Sequence, residues 1–312
     1  MTDLSTLGPV AEEIRPFWRH IERVHYTPPG LAPRRPLYIG SMTADARIGS
    51  LDGRLEEHLK NCLPPNAIKA GGAVVLAEGM GLAEGAQALR DLCMALLDVE
   101  AGPRFGEWFD VFNEAGNLCG EVERGLVPLL GTRARGAHLN GLVKGPGGMQ
   151  LWVGTRSRTK RLDPGLLDHL AAGGVGAGFS PLQTMVKEAG EEAGLPPELA
   201  RQVRPSAVLH YQLNRPEGLR RDEIHCYDLV LPGDFIPQPV DHEVERFELM
   251  PLSEVFDRVR DTDDFKFNVN LVLIDLFIRQ GLFSAEGGEA LRAALAGMAP
   301  GTETKQASGG PS

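Results

Sequence analysis

Apolar residues return at helical spacing in some stretches of the chain and cluster in strand-length runs in others. Residues 11–24 are the first clear helix: Ile14, Phe17, Trp18, Ile21 and Val24 recur every three or four positions and so share one face. A break rich in Pro, Gly and Arg follows at 28–36. Residues 37–39 and 73–77 read as short strands, and 84–97 as a helix that buries Leu89, Leu92, Cys93 and Leu96. The segment WFDVFN at 108–113 predicts a strand, and EAGN at 114–117 the turn that ends it. The next stretch, CGEVERGLVPLL at 119–130, reads as a helix stopping near Gly131.

From there strands dominate. Residues 138–143 and 149–155 predict a hairpin closed by the Gly-Pro-Gly-Gly turn at 145–148. Residues 204–213 and 222–231 read as a second strand pair, after which Pro232 and Pro237 interrupt the pattern. A strand at 247–252 leads into a helix from Ser253, with Glu254 in its first turn. NVNLVLIDLFI at 268–278 is a strongly apolar helix, too short to span a bilayer, and is expected to pack on the sheet. The end, 301–312, is rich in Gly, Ser and Pro and reads as disordered. Periodicity alone gives a chain of mixed α and β.

One stretch, 173–195, carries the chemistry. Ser180 before Pro181, with Gln183 three residues on, is a capping box with proline at the first helical position, and Gly194 is a stop. At about 100° per residue, Leu182, Val186, Ala189 and Ala193 fall within roughly 40° of one another and predict a narrow buried stripe. Glu188, Glu191 and Glu192 fall on the far side. Three carboxylates at these spacings repel one another. The face is either merely solvated or relieved by a divalent cation, since hard cations such as Mg²⁺ bind carboxylate and phosphate oxygens.

Composition narrows the classes. A net charge of −10 over 312 residues argues against nonspecific nucleic-acid or membrane binding. The four cysteines are scattered without a C-x-x-C pair, and the eight histidines show no ligand spacing. The first residues lack a basic-then-apolar leader pattern, so a cytoplasmic protein is the expectation. Against the acidic background, Arg156, Arg158, Lys160 and Arg161 form the densest cationic cluster, one loop upstream of the carboxylate helix. Such groups either face solvent or clamp phosphate oxygens.

The glycines, the Ser-Pro and the run Lys187-Glu188-x-x-Glu191-Glu192-x-Gly194-Leu195 resemble the Nudix box. In that motif a Gly, a Glu and the run R-E-U-x-E-E-x-G-U stand at fixed spacing, U being apolar. Gly173, Glu188, Ala189, Glu191, Glu192, Gly194 and Leu195 match in register; the first Glu is Phe179 here and the Arg is Lys187. The segments HLNG (138–141), LWVGTRS (151–157), PGLLDHLAAGG (164–174), CYDLVLP (226–232) and DHEVERFELMP (241–251) are similar to one subgroup. That subgroup is the thiamine-diphosphate-hydrolase-like group of plant Nudix proteins and of a domain fused to fungal thiamine pyrophosphokinase.

The resemblance implies an α/β (α+β) chain. A Nudix α-β-α sandwich around a mixed sheet would span 131–285, preceded at 1–130 by a smaller α+β domain of unknown role. A C-terminal helix and tail would follow at 286–312. It implies a Mg²⁺-dependent diphosphatase, with Mn²⁺ as a substitute, acting on thiamine diphosphate or its oxo and oxy analogues as metabolite repair. Homodimerisation is expected by analogy only. Glu188, Glu191 and Glu192 would hold the metal. Glu188 or Glu192, or Glu243 from the later loop with Glu245 in reserve, would activate water. Arg156, Lys160, Gly173, Gly174 and Lys187 would contact substrate, with Lys187 also orienting the carboxylates. Tyr227, with Trp152 and Phe247, would wall the ring. The rivals are another diphosphate, such as ADP-ribose, a dinucleotide or a nucleotide sugar, and a binding protein without catalysis.

Overall fold

The computed structural model describes residues 10–24 and 33–297; the expected tail and most of the break at 28–36 lie outside the described residues. The chain begins with helix α1 (Val10–Arg23) and strands β1 (Arg35–Ile39) and β2 (Arg47–Leu51). A short α2 (Leu59–Cys62), β3 (Ile68–Ala70), β4 (Ala73–Leu76) and α3 (Leu82–Asp98) follow. The four strands form a sheet in the order β2-β1-β4-β3, with β1 and β4 parallel. Helix α3 covers this sheet with Leu89, Leu92, Cys93 and Leu96, the face expected from the sequence.

Strands β5 (Trp108–Phe112) and β6 (Leu118–Glu123) then form a separate hairpin, and α4 (Val127–Leu130) ends at Gly131 in the left-handed conformation. The segment expected as one helix over 119–130 is therefore split, with strand through Glu123 and helical turns only from Arg124. Pairing with β5 outweighs local propensity, and a β-carbon on Gly125 would come within 1.8 Å of the Pro103 carbonyl oxygen. A 3-10 turn at Arg124–Leu126 leads into the four residues of α4.

The second half is one large mixed sheet. Its strands are β7 (Arg133–Gly145), β8 (Gly148–Arg156), β9 (Leu167–Asp168) and β10 (Ala171–Gly174), then β11 (Arg204–Arg215), β12 (Gly218–Val230) and β13 (Val244–Pro251). The main path runs β11-β12-β7-β8-β13, with β10 on β7 and β9 on β8; β12 and β7 are parallel. Both expected hairpins are present. One face carries α5 (Pro181–Ala193) and α6 (Pro197–Ala200); the other carries α7 (Leu252–Asp261), α8 (Val269–Arg279) and α9 (Ala285–Ala296). This is an α-β-α sandwich. The apolar run at 268–278 packs on the sheet as α8, and no helix among the described residues is long and apolar enough to cross a membrane.

Helix α1 departs from the expected division at residue 130. It packs on α7, α8 and α9, burying Ile14, Phe17, Trp18 and Ile21 in the core of the large sheet. Phe17 meets Phe256 and Phe283 at ring distances of 4.7 and 4.9 Å. The imidazole of His20 bonds the Val259 carbonyl through Nε2 at 2.8 Å. Trp18→Ala should therefore lower the stability of the whole sandwich by about 3–5 kcal/mol in chemical denaturation. A loss below about 1 kcal/mol would mean that α1 is only loosely attached.

Candidate active site

Helix α5 starts and stops at the expected residues. Ser180 Oγ accepts from the Gln183 amide at 3.2 Å, the Gln183 side chain accepts from the Ser180 amide at 2.9 Å, and Gly194 ends the helix at φ 64°. Its orientation is not the expected one. Thr184, Met185, Ala189, Glu192 and Ala193 are buried, whereas Leu182 is exposed. At about 100° per residue, the buried face is turned by roughly 65° from the expected stripe, toward Glu188 and Glu192. The cause is β10, which lies against the helix and receives carboxylates where apolar side chains would otherwise go.

Gly173 is the close-approach point: a β-carbon there would lie 2.4 Å from Cδ of Glu188. One residue earlier, the Ala172 amide donates to Glu192 Oε2 at 2.7 Å. Glu192 is 6% exposed, and burial, reinforced by Asp168 and Glu188, drives its carboxyl up to about 8. Burial also raises Glu188, with Lys187 opposing. Lys187 Nζ lies 2.5 Å from Glu191 Oε2 and 3.3 Å from Glu188 Oε1, between the two carboxylates.

The facing wall comes from the loop before β13. His242 adopts a left-handed φ of 64°, and Asp241 Oδ1 accepts from the Glu243 amide at 2.9 Å. This turn brings Asp241 and Glu243 to Glu192, with one oxygen of each within 4.8 Å of the others. Asp241 was missed by sequence reading, because nothing local distinguishes it from the other acids of that loop. Lys160 Nζ pairs with Glu243 Oε2, whereas Glu245 accepts from the Arg158 amide at 3.0 Å and does not line the cleft. Arg156 reaches the cleft, but its guanidinium is occupied by Asp168 at 2.5 Å and by the carbonyls of Leu162 and Asp163. It fastens the loop, and Lys160 is the cation facing the carboxylates.

Beneath the cleft, the rings of His138 and His169 meet edge to face at 5.0 Å beside Asp168. Sequence spacing could not foresee this pair, since β7 and the segment before β10 meet only through sheet pairing. Burial pushes both imidazoles below their ordinary range, His169 to about 4. Burial alone would raise the Asp168 carboxyl, but Lys266 and Arg156 outweigh it and hold it ionised. With two cations beside it, Asp168 has little attraction left for a third.

The cleft has a volume of about 720 Å³. Four aromatic rings also line it: Phe105, Trp108 and Phe109 from the first half, and Phe179 from the loop ahead of α5. A β-carbon on Gly174 would lie 2.7 Å from Cζ of Phe109, so this glycine admits the neighbouring ring. Both glycines line the cleft, yet each is bare for the sake of a protein side chain. Tyr227 and Trp152 lie in the core beneath α5 and Phe247 packs against it; none of the three lines the cleft. They project from the α5 face of the sheet into its interior, not into the opening beside β10.

The high carboxyl of Glu192 has a measurable consequence. The folded chain holds this proton more tightly than an unfolded one, whose carboxyl titrates near 4.5. Its contribution to stability is therefore largest below that value and declines as pH rises toward about 8. In metal-free buffer, Glu192→Gln should gain stability over the parent chain progressively from pH 5 to 8. Thermal unfolding of the two proteins across that range checks this, and a constant difference would contradict it.

Residues 136–269 match the NUDIX domain model. Nudix hydrolase 20, chloroplastic, of Arabidopsis thaliana is 41% identical over 166 residues, covering 53% of this chain and 44% of the relative. Nudix hydrolase 24, chloroplastic, of the same plant is 41% identical over 165 residues, covering 53% and 45%. An uncharacterised protein of Saccharomyces cerevisiae is 35% identical over 179 residues, covering 53% and 52%. The chain spans about half the length of the curated relatives it matches. Among solved structures, DR0079 from Deinococcus radiodurans is 20% identical with a TM-score of 0.40, covering 54% of this chain and 97% of that one. A C. elegans Ap4A hydrolase is 17% identical with a TM-score of 0.36, covering 48% and 99%. At such TM-scores neither bears on what this chain binds. Most of the sandwich that carries the acidic cleft, residues 136–269, is thus similar to the NUDIX domain.

Proposed function

We propose that this chain is a Nudix hydrolase that cleaves a small-molecule diphosphate with Mg²⁺, or Mn²⁺ in its place. The observation that carries this reading is the meeting of Glu192, Asp241 and Glu243 in one cleft wall beside Lys160. The donor set fits a hard cation: it is all oxygen, and Glu192 is buried among acids that disfavour its charge. Glu188, Glu191 and Glu192, joined by Asp241 and Glu243, would hold the ion. Bound there, the ion supplies charge neutralisation for the diphosphate oxygens.

The remaining chemistry belongs to the chain. Lys160 and the buried Lys266 line the cleft and donate to phosphate oxygens. Lys187 holds Glu188 and Glu191 in place, and Gly173 lets Glu188 reach the cleft. Glu243, in contact with Lys160 at the cleft surface, is the base that takes a proton from the attacking water. The water oxygen bonds to the terminal phosphorus, the P–O–P bond breaks, and a monophosphate and inorganic phosphate leave. Thiamine diphosphate and its oxidised analogues are the substrates favoured by the subgroup segments around the box. The plant relatives are chloroplastic Nudix hydrolases, and a repair role in whichever compartment holds the thiamine compounds is compatible with that.

Phosphate release from thiamine diphosphate, oxothiamine diphosphate, oxythiamine diphosphate and ADP-ribose, with and without Mg²⁺, tests this directly. Turnover should require the metal and favour the thiamine compounds; preference for ADP-ribose would replace the substrate, and none at all would defeat the reading. Glu192→Gln should lower kcat/KM by about 10²-fold or more, since a metal ligand contributes several kcal/mol to the transition state. Gly173→Ala should displace Glu188 and cost at least about tenfold with little change in thermal stability. Unaltered rates in both variants would place the chemistry elsewhere.

A further inference from the structure

The first half of the chain is built into the cleft. The Trp108 carbonyl accepts from the Ala177 amide at 2.7 Å, and Asp110 Oδ2 accepts from the Gly178 amide at 3.1 Å. Phe109 fills the space left bare by Gly174. At the hairpin turn, Glu114 binds Arg133 at 2.5 Å and Arg221 at 2.6 Å, both on strands of the Nudix sheet. Arg135 of β7 stacks over Phe112 at 3.7 Å from the ring centre. Strand β5 and its turn are thus attached, from Trp108 to Glu114, to the second half of the chain.

Around it the cleft is lined by aromatic rings. Phe105, in the loop ahead of β5, is 41% exposed, and Phe179, which lines the same cleft, is 53% exposed, although both are large apolar rings. Two exposed rings lining one charged cleft leave apolar surface in water that a ligand ring would cover. Phe179 stands where the family pattern has a glutamate, so the cleft has an apolar surface at a position usually acidic. Arg161 approaches the Phe105 ring at 5.6 Å and joins this aromatic end to the cationic end of the same cavity.

We infer that Phe105 and Phe179 form a two-sided rest for a flat aromatic ring, and that the N-terminal half of the chain thereby selects the organic end of the substrate. This rests on the diphosphatase reading of the same cleft: the carboxylate end takes the diphosphate, and the ring lies between the hairpin and the loop ahead of α5. The cavity is continuous between the two ends. The ligand class is a phosphate ester of a planar heterocycle.

The test separates ring binding from turnover by using monophosphates, which contain no bond for the enzyme to cut. Of the three tryptophans, Trp18 and Trp152 are buried in cores and Trp108 lines the cleft, so quenching of intrinsic fluorescence reports on the site. Thiamine monophosphate and adenosine monophosphate are titrated against the full chain alongside inorganic phosphate. At least one ring-bearing monophosphate should bind about tenfold or more tightly than phosphate, and Phe105→Ala and Phe179→Ala should each reduce that ratio by about tenfold. Phe105→Tyr and Phe179→Tyr should restore it. Both positions are exposed, so alanine there leaves the cores intact, which thermal unfolding of each variant verifies. A ratio near one in the parent chain, or a ratio unchanged in both alanine variants, overturns the inference. Ring-dependent binding by a chain that hydrolyses no diphosphate would uphold the ring site and defeat the diphosphatase reading; turnover without ring preference would do the reverse.

Discussion

The structure of the cleft depends on keeping a carboxyl group out of water. Glu192 is almost fully buried and receives one backbone amide, from Ala172, which cannot by itself offset the loss of hydration. Its neighbours act in both directions. Lys160 lowers the cost, Asp168 and Glu188 raise it, and the loop at 241–243 adds two further acids. Mutually repelling oxygens gathered in this way are destabilising in a bare chain, and the proposed divalent cation would relieve them.

Much of this was legible in the sequence where the cause is local. The capping box, the proline at the first turn and the terminal glycine set α5 because each acts within a few residues. Alternation and the Gly-Pro-Gly-Gly turn located the β7–β8 hairpin for the same reason. The failures share the opposite cause. The rotation of α5 is imposed by β10, the strand at Leu118–Glu123 by its pairing with β5, and the His138–His169 contact by sheet register. Asp241 joins the site through a turn with one left-handed residue, and only the fold brings that turn to the helix.

The two glycines of the box also change meaning once the fold is known. Read as a sequence, they suggest a loop that approaches substrate. In the structure each is bare to admit a protein side chain, Glu188 in one case and Phe109 in the other. The first contact is internal to the Nudix domain. The second joins it to the preceding half of the chain, so the motif doubles as an attachment point for a neighbouring module.

Helix α1 carries a different consequence. It is the first described element to be synthesised, yet its partners are α7, α8 and α9. The His20–Val259 bond spans 239 residues and the Glu13–Ser284 contact 271. Closing loops of that length delays the contacts that reward them. During translation Phe17 and Trp18 must wait, with their apolar face open, until nearly the whole chain has emerged. The earliest helix is then among the last to find its place, and it closes the fold by bringing the two ends of the described chain together.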